Sequence, residues 1–302
     1  MLSPKRKWPQ QQRQRSMRRR IQSGQQQMHV GSLESELYPW SLTRHYTVAE
    51  LMSKSPKKPK PTAPSKKSTT VPSVRTSSRP VVFQGRDGLG AYTADPAAFG
   101  PDRIVYHNDD FVVINDLFPK SSVHLLILPR DPSKQLLHPF EAFEDIEFLN
   151  KCKKEVEKVK EIVAKELQRK YGKFSAQDAA RNAAMESDEP PDILPPGRDW
   201  TKEVVSGVHA HPSMNHLHIH VLSVDRHSPC LKHRKHYNSF ATPFLVPLDD
   251  LPLKDDETGT WRRKERFLDW EMKCWRCGRN FGNKFTRLKE HLEDEFEGWK
   301  KL

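Results

Sequence analysis

The strongest constraint on the fold is a short segment, 216–222, in which histidine alternates with aliphatic residues: His216-Leu217-His218-Ile219-His220-Val221-Leu222. Successive side chains of a β-strand point to opposite faces of the sheet. The alternation therefore predicts a strand with all three histidines on one face and the aliphatic side chains on the other. The aliphatic face needs an apolar partner, which another part of the chain must supply.

One long amphipathic helix is the expected partner. Its apolar side chains recur at intervals of three and four, with lysine and glutamate on the other face; they are Phe140, Phe143, Ile146, Leu149, Cys152, Val156, Val159, Val163 and Leu167. Further strands are predicted at Arg103–His107, Phe111–Asp116, Val123–Leu128 and Val204–Ala210, and the histidine strand is predicted at Asn215–Ser223. The first two strands should form a hairpin around Asn108-Asp109-Asp110.

Charge and composition divide the chain into three parts. Residues 1–80 carry 17 lysines and arginines against three acids, while the whole chain has a net charge of +12, so the basic character belongs to this arm. The arm is rich in Gln, Lys, Pro and Ser without periodicity, which predicts disorder. We expect a catalytic domain at 81–245, with a loop insertion at 174–200, and a small zinc-finger module at 246–302.

Two further features concern the cellular compartment. No apolar run approaches the roughly 18 to 20 residues that span a bilayer, so a soluble protein without membrane contact is expected. The cysteines make a poor disulfide framework, which favours a reducing compartment; they are Cys152, Cys230, Cys274 and Cys277. Basic clusters at 5–7 and 18–20 favour the nucleus, although an Arg-rich start also fits a mitochondrial transit peptide.

Three histidines on one strand face can do several kinds of chemistry. They could be incidental on a polar sheet face, or they could chelate zinc. We favour nucleophilic catalysis, in which the neutral imidazole of His218 attacks phosphorus and its histidine neighbours stabilise the developing charge. A further group must protonate the leaving group. His209, on the preceding strand, is the natural candidate, and His211, next to Pro212, is a weaker one.

The C-terminal part has the spacing of a zinc-finger knuckle. Cys274-Trp275-Arg276-Cys277 supplies two thiolates, and His291 follows at finger-like spacing. No histidine follows His291, so Glu295 is the expected fourth ligand, because residues four apart share a helix face and zinc accepts carboxylate oxygen. A pair of cysteines without metal is the alternative. We expect one structural zinc ion and flanking lysines and arginines that contact phosphate.

These motifs carry a family resemblance. The histidine strand is the signature of the histidine-triad superfamily, and the segments 207–216, 228–232, 236–240 and Phe118-Pro119-Lys120-Ser121 are similar to those of the aprataxins. The resemblance implies an α+β histidine-triad fold, an antiparallel sheet with packed helices, followed by a classical-type zinc finger. It also implies a fungal-type member without the forkhead-associated domain of animal relatives.

Aprataxins remove AMP from 5′-adenylated DNA after abortive ligation. The resemblance implies that His218 is the nucleophile, that His220 contacts the phosphate, that His216 orients the nucleophile and that His209 acts on the departing DNA. It assigns the nucleotide and phosphate to Asp116, Lys120, Ser213, Met214 and Lys232. No catalytic cofactor is implied. Read from the sequence alone, Asp116 could be a turn residue, Ser213 a loop serine and Lys232 part of a basic patch.

Two other functions remain open from the sequence. The chain could be a general histidine-triad phosphoramidase or dinucleotide hydrolase that acts on small nucleotides, or a DNA-binding regulator without catalysis. The zinc module and the basic arm favour DNA over the first, and the complete histidine set favours an enzyme over the second. Leu89-Gly90-Ala91-Tyr92 is a candidate wedge that opens a nick.

Overall fold

A six-stranded antiparallel sheet forms the centre of the computed structural model, which describes residues 85–254 and 256–302. Its strand order is β1-β2-β3-β5-β4-β6, and the strands are β1 Ile104–His107, β2 Phe111–Asn115, β3 His124–Pro129, β4 Val204–His209, β5 Ile219–Ser223 and β6 Leu245–Val246. The predicted hairpin and strand positions are confirmed to within a few residues. The predicted basic arm, 1–80, lies outside the described residues.

The histidine strand begins later than predicted. β5 pairs with β3 and β4 only from Ile219 onward, so His216 and His218 precede the hydrogen-bonded ladder. The predicted division of faces nevertheless holds, since Leu217, Ile219 and Val221 are buried in the main core with the long helix. The extended backbone before β5 therefore keeps the alternation without a neighbouring strand.

The long helix that covers this face, α3, spans Ile146–Tyr171. The apolar pattern predicted a helix reaching back to Phe140, but a separate short helix, α2 at Pro139–Ala142, holds that residue. Asp145 separates the two helices because its side chain accepts a hydrogen bond from the Phe148 amide at 3.0 Å and caps α3. Ile146, predicted to be in the core, is 51% exposed.

The segment 174–200, predicted to be a loop, contains a helix, α4 at Ala176–Met185. Ser175 caps this helix by accepting from the Asp178 amide. The buried Asp178 carboxylate then accepts from the Trp200 indole at 2.8 Å and from the Arg198 amide at 2.9 Å. One buried acid thus ties both ends of the segment together, a long-range contact that local pattern does not reveal.

The C-terminal part contains α5 at Arg234–Ala241, α6 at Glu257–Lys264, β7 at Met272–Lys273, β8 at Asn280–Gly282 and α7 at Phe285–Trp299; α1, at Gly90–Ala94, precedes the sheet. Phe267, Phe296 and Trp299 belong to the same core as α3 and β5. The predicted boundary at 245 therefore does not separate two cores, and the described residues on both sides of it belong to one unit. No helix within the described ranges is long and apolar enough to cross a membrane.

Candidate active site and metal centre

A cavity of about 510 Å³ opens on the histidine face of the sheet. The predicted residues that line it are His209, His218, His220, Asp116, Lys120, Ser213 and Met214. Two predicted residues lie outside the lining. His216 is buried beside it, and the Lys232 amide donates to Nδ1 of His236, a lining residue, at 3.3 Å.

Main-chain contact defines the proton position on His218. Its Nδ1 lies 2.7 Å from the carbonyl oxygen of His216, so Nδ1 carries the proton and donates it. The other nitrogen, Nε2, then has a lone pair in the ring that lines the cavity. Burial lowers the pKa of His218 from its ordinary value of 6.5, which keeps the ring neutral near pH 7. A neutral imidazole with a free Nε2 is the form that acts as a nucleophile.

His220 is the end of a chain of hydrogen bonds that begins at a residue absent from the predictions, His124. Nε2 of the buried His124 lies 3.0 Å from Nδ1 of His220. Nδ1 of His124 lies 3.2 Å from the Lys120 amide and 3.3 Å from Oδ2 of Asp116. Two proton arrangements are therefore open, because Nδ1 accepts from the amide or donates to the carboxylate.

Burial lowers the pKa of His124 to about 4, so the ring is neutral in either arrangement. We favour acceptance from the amide, because the Lys120 N–H can only donate and lies 3.2 Å from Nδ1. In this arrangement His124 Nε2 donates to His220 Nδ1, and His220 Nε2–H points toward the cavity as a donor. The signal in the sequence was a histidine at the start of an otherwise apolar strand, on the same face as Leu126 and Leu128.

His209 and His220 stack with ring centroids 4.2 Å apart. Burial lowers the pKa of both well below 6.5, and each neighbouring histidine lowers it further. Nε2 of each ring is buried without a hydrogen-bond partner in the part of the chain that the structure describes. His211, the weaker candidate acid, is exposed and lines a separate cleft, so the geometry favours His209.

An aromatic ring that the predictions did not single out supports the histidines from below. Phe240, on α5, contacts the rings of His124, His209 and His220 at centroid distances of 5.2, 4.8 and 5.1 Å. It excludes water from the back of the cavity, which explains the strong effect of burial on the pKa values. In the candidate wedge, Leu89 and Tyr92 both line the cavity. Leu89 is buried with Val112 and Ile114, and the Tyr92 hydroxyl accepts a hydrogen bond from Arg103 at 2.8 Å.

Asp116 and Lys120 lie at the end of the cavity nearest His124. Oδ1 of Asp116 accepts from the Phe118 amide at 2.8 Å, as expected of a turn residue. Its other oxygen, Oδ2, lies 3.3 Å from Nδ1 of His124. Asp116 therefore stabilises the turn and also belongs to the candidate site. The Lys120 ammonium donates to the Phe118 carbonyl, and burial lowers its pKa. Lys120 therefore provides a partly desolvated cation beside His220.

The four predicted metal ligands lie together. The ligand atoms of Cys274, Cys277, His291 and Glu295 are all within 4.8 Å of one another. His291 Nε2 lies 3.1 Å from the Cys277 sulfur and 3.1 Å from Glu295 Oε1. Two sulfurs, one imidazole and one carboxylate make a donor set that fits tetrahedral zinc. Arg276 Nη1 holds the other oxygen of Glu295 at 2.9 Å.

Several of the predicted basic residues border the finger. Arg279, Lys284 and Arg287 line a groove next to His291 that also contains Glu271, Glu290 and Asp294. Arg262, by contrast, pairs with Asp250, and Lys289 donates to the Leu231 carbonyl at 3.3 Å. The groove therefore has a mixed charge, with three cationic and three acidic side chains beside His291.

Comparison with known proteins identifies the family. The model of the "C2HE / C2H2 / C2HC zinc-binding finger" matches residues 241–298, and that of "Scavenger mRNA decapping enzyme C-term binding" matches 96–236. The chain is 38% identical over 214 residues to an aprataxin-like protein of Saccharomyces cerevisiae, covering 70% of this chain and 95% of that protein. It is 35% identical over 225 residues to an aprataxin-like protein of Schizosaccharomyces pombe, covering 71% and 82%.

A solved structure agrees with the sequence relatives. The crystal structure of an aprataxin ortholog in complex with DNA superimposes with a TM-score of 0.56 at 31% identity, covering 71% of this chain and 96% of that one. The antiparallel sheet, the packed helices and the finger are thus shared over most of the described chain. The chain has the histidine-triad fold with a C-terminal zinc finger and belongs to the aprataxin family.

Proposed function

We propose that this protein is a DNA 5′-adenylate hydrolase, which removes AMP from abortive ligation ends during single-strand break repair. The observation that carries the proposal is the free Nε2 of His218, in a cavity with two further buried histidines and a desolvated lysine. The family supports the reaction class, and the solved relative is a complex with DNA. The cavity of about 510 Å³ is large enough for a nucleotide.

In the first step, the His218 Nε2 lone pair attacks the phosphorus of AMP. A P–N bond forms and the anhydride P–O bond to the DNA 5′-phosphate breaks. His220 Nε2–H and the Lys120 ammonium are the donors for the non-bridging oxygens, where negative charge develops. Asp116, Ser213 and Met214 would hold the nucleotide, and Lys232, next to the lining residue His236, would contact phosphate.

His209 is the proposed acid for the departing DNA phosphate. Burial of the ring holds its pKa well below 6.5. A bound phosphate brings negative charge beside the ring and raises that pKa, so the substrate itself favours the protonated acid. In the second step water attacks the phosphorus and gives a proton to His209, which the first step left neutral. The P–N bond breaks, and AMP leaves with His218 restored.

The C-terminal zinc finger and the positive charge of the arm 1–80 support DNA as the leaving group. We propose that zinc, held by Cys274, Cys277, His291 and Glu295, ties the β7–β8 knuckle to α7. Arg279, Lys284 and Arg287, which line the groove of the finger, would then contact the phosphate backbone without regard to sequence. The strongly basic arm, 1–80, would add affinity, and its basic clusters support a nuclear protein.

The alternative is a general phosphoramidase or dinucleotide hydrolase acting on small nucleotides. The histidine cluster alone serves either substrate, because the chemistry at phosphorus is the same. The finger and the basic arm favour DNA, since a small nucleotide needs neither.

The test compares nicked DNA carrying 5′-AMP with adenosine phosphoramidate, at equal enzyme concentration. We expect a higher kcat/KM for the DNA, and His218→Ala should abolish AMP release from both substrates. His211→Ala, which alters an exposed histidine in the neighbouring cleft, is the matched control and should keep its activity. A higher kcat/KM for the phosphoramidate would favour the alternative function.

The zinc assignment has its own test. Metal analysis of the purified protein should find one zinc ion per chain, held through the thiolates. Cys274→Ser should lose that ion, whereas Cys152→Ser, on the buried face of α3, should keep it. Full zinc occupancy in Cys274→Ser would contradict the ligand set.

A further inference from the structure

A second cavity, of about 540 Å³, lies at the edge of the sheet beside β4. β6 pairs with β4 only at Val208 and His209, so the outer edge of residues 204–206 has no neighbouring strand in the part of the chain that the structure describes. The cavity is separate from the catalytic one, although Phe240 lines both. The reaction proposed above uses none of its charged residues, which are Lys153, Lys154, Glu157, Lys160, Arg226 and Asp249.

The two acids of this cavity are each paired with a lysine. Lys153 Nζ lies 3.1 Å from a carboxylate oxygen of Asp249. Lys160 Nζ lies 2.7 Å from a carboxylate oxygen of Glu157. These pairs use both acids of the lining, so the two remaining cations have no acidic partner in the cavity.

Arg226 is the buried one of these two cations. Its side chain is only 5% exposed, and it forms no ion pair with a described residue. The carboxylate of the neighbouring Asp225 instead accepts from Ser122 and from the His227 amide. Since a buried charge is costly unless it is paired, the Arg226 guanidinium lacks a counter-ion.

The Arg226 guanidinium also has a donor to spare. It donates from Nη1 to the Ser223 carbonyl at 2.9 Å and from Nη2 to the Phe240 carbonyl at 2.7 Å, and Nη1 lies 3.5 Å from the Ser121 hydroxyl. Nε is buried without a hydrogen-bond partner among residues 85–254 and 256–302. A guanidinium has five N–H donors, so these contacts do not use all of them. Carboxylate and phosphate oxygens are the acceptors that match its planar fork.

Lys154, the other cation without an acid, is exposed on α3. Its flexible stem allows the ammonium to move onto a bound anion. Much of the remaining lining is apolar and includes Val205, Leu245 and Phe240. The cavity therefore combines a fixed buried cation, a movable exposed one and an apolar wall.

We propose that this cavity binds a small phosphate-bearing molecule, with its phosphate held by Arg226 and Lys154. The volume lies within the usual range for small-molecule sites. A phosphate supplies the negative charge that Arg226 lacks, and its several oxygens can accept from both cations. The apolar wall beside β4 leaves room for the rest of the molecule.

The test is a calorimetric titration of the full-length protein with pyrophosphate, in about 0.2 M salt to screen weak contacts with the basic arm. We expect a binding event that is weakened at least about tenfold in Arg226→Gln and about threefold in Lys154→Ala. Lys165→Ala, which alters an exposed lysine of the same helix outside the cavity, is the matched control and should bind like the wild type. Lys120→Ala, in the catalytic cavity, should also keep the event.

Two results would overturn the proposal. One is the absence of binding in the wild type. The other is an event that Lys120→Ala removes and that both Arg226→Gln and Lys154→Ala keep, because pyrophosphate then occupies the catalytic cavity.

The melting temperature of each variant without ligand shows whether it is folded. If Arg226→Gln does not fold, Lys154→Ala decides, since an exposed lysine can be replaced without disturbing the core. Unchanged pyrophosphate affinity in that variant would then contradict the proposal. Turnover of adenylated DNA does not enter these measurements, so the proposal can succeed where the proposed function fails, and the reverse.

Discussion

At the residue scale, a main-chain atom prepares the proposed nucleophile. The His216 carbonyl holds the Nδ1 proton of His218, so the free lone pair stays on Nε2. The resemblance implies that His216 orients the nucleophile, and the contact that can do so is made by its carbonyl oxygen. Substitution at 216 keeps that carbonyl, whereas substitution at 218 removes the reactive atom.

His216→Ala should therefore cost far less than His218→Ala. We expect AMP release to fall by no more than about tenfold in the first and by at least about 1,000-fold in the second. Single-turnover rates with adenosine phosphoramidate measure both. Equal losses in the two variants would mean that the His216 side chain takes part directly in the reaction.

His124 shows which residues single-sequence reasoning overlooks. The motif reveals His216, His218 and His220 because they repeat, whereas His124 is a lone histidine at the start of an apolar strand. Its importance comes from pairing, because β3 lies beside β5 with Leu126 opposite His220. That register puts His124 diagonally next to His220, a neighbour that is 96 positions away in the sequence.

At the element scale, the segment 174–200 fastens the zinc-ligand helix to the catalytic sheet. The guanidinium of Arg198 lies between the rings of Trp200 and Trp299, at 4.2 and 4.8 Å from their centroids. It donates to the Trp299 carbonyl at 2.8 Å and to Glu203 at 2.9 Å. Glu203 in turn accepts from the Trp299 indole at 2.7 Å. The C-terminal end of α7 is thus held by contacts that do not involve the metal.

Arg198→Ala should weaken the binding of DNA while leaving the chemical step in the cavity intact. Loss of a buried ion pair costs about 3 kcal/mol, so the melting temperature should drop and α7 should loosen. We expect KM for adenylated DNA to rise while kcat/KM for adenosine phosphoramidate stays within about twofold, because His218 and its partners lie on other elements. Arg181→Ala, in the same segment but contacting Pro195, is the control. Equal losses on both substrates would show that Arg198 supports the cavity itself.

At the scale of the whole molecule, the fold brings four histidines with lowered pKa values together in and behind one cavity. Burial lowers the pKa of His124, His209, His218 and His220. In the unfolded chain each of them returns to its ordinary value. The native state therefore takes up fewer protons than the unfolded state in mild acid, which makes stability depend on pH.

Stability should be insensitive to these groups above about pH 7 and should fall as the pH drops below the ordinary value of 6.5. Stability falls with falling pH because the histidines of the unfolded chain bind protons at a pH at which the native rings stay neutral. Each histidine contributes at most about 1.4 kcal/mol per pH unit. Urea unfolding at several pH values measures the slope, and His124→Asn should flatten it. A stability that stays constant between pH 7 and 5 would contradict native rings that remain neutral.

The sequence by itself determined the features that depend on local period and spacing. The alternation at 216–222 predicted both faces of the histidine segment, and the spacing of Cys274, Cys277, His291 and Glu295 predicted a cluster that the structure brings together. Helix and strand periodicity are properties of neighbouring residues, so they can be read from one chain. The same motifs carry the resemblance to the family.

Only the tertiary structure decided which distant residues complete these features. His124 contacts the catalytic histidines through strand pairing, and Phe240 contacts them through packing of α5. Asp178 accepts a hydrogen bond from Trp200 and so orders the segment 174–200, which was predicted to be a loop and which holds α7. The expected separate zinc module instead shares a core with α3 through Phe296 and Trp299. Each case depends on a contact between residues far apart in the chain, and the physical reason is that burial and pairing, unlike period, are set by the whole fold.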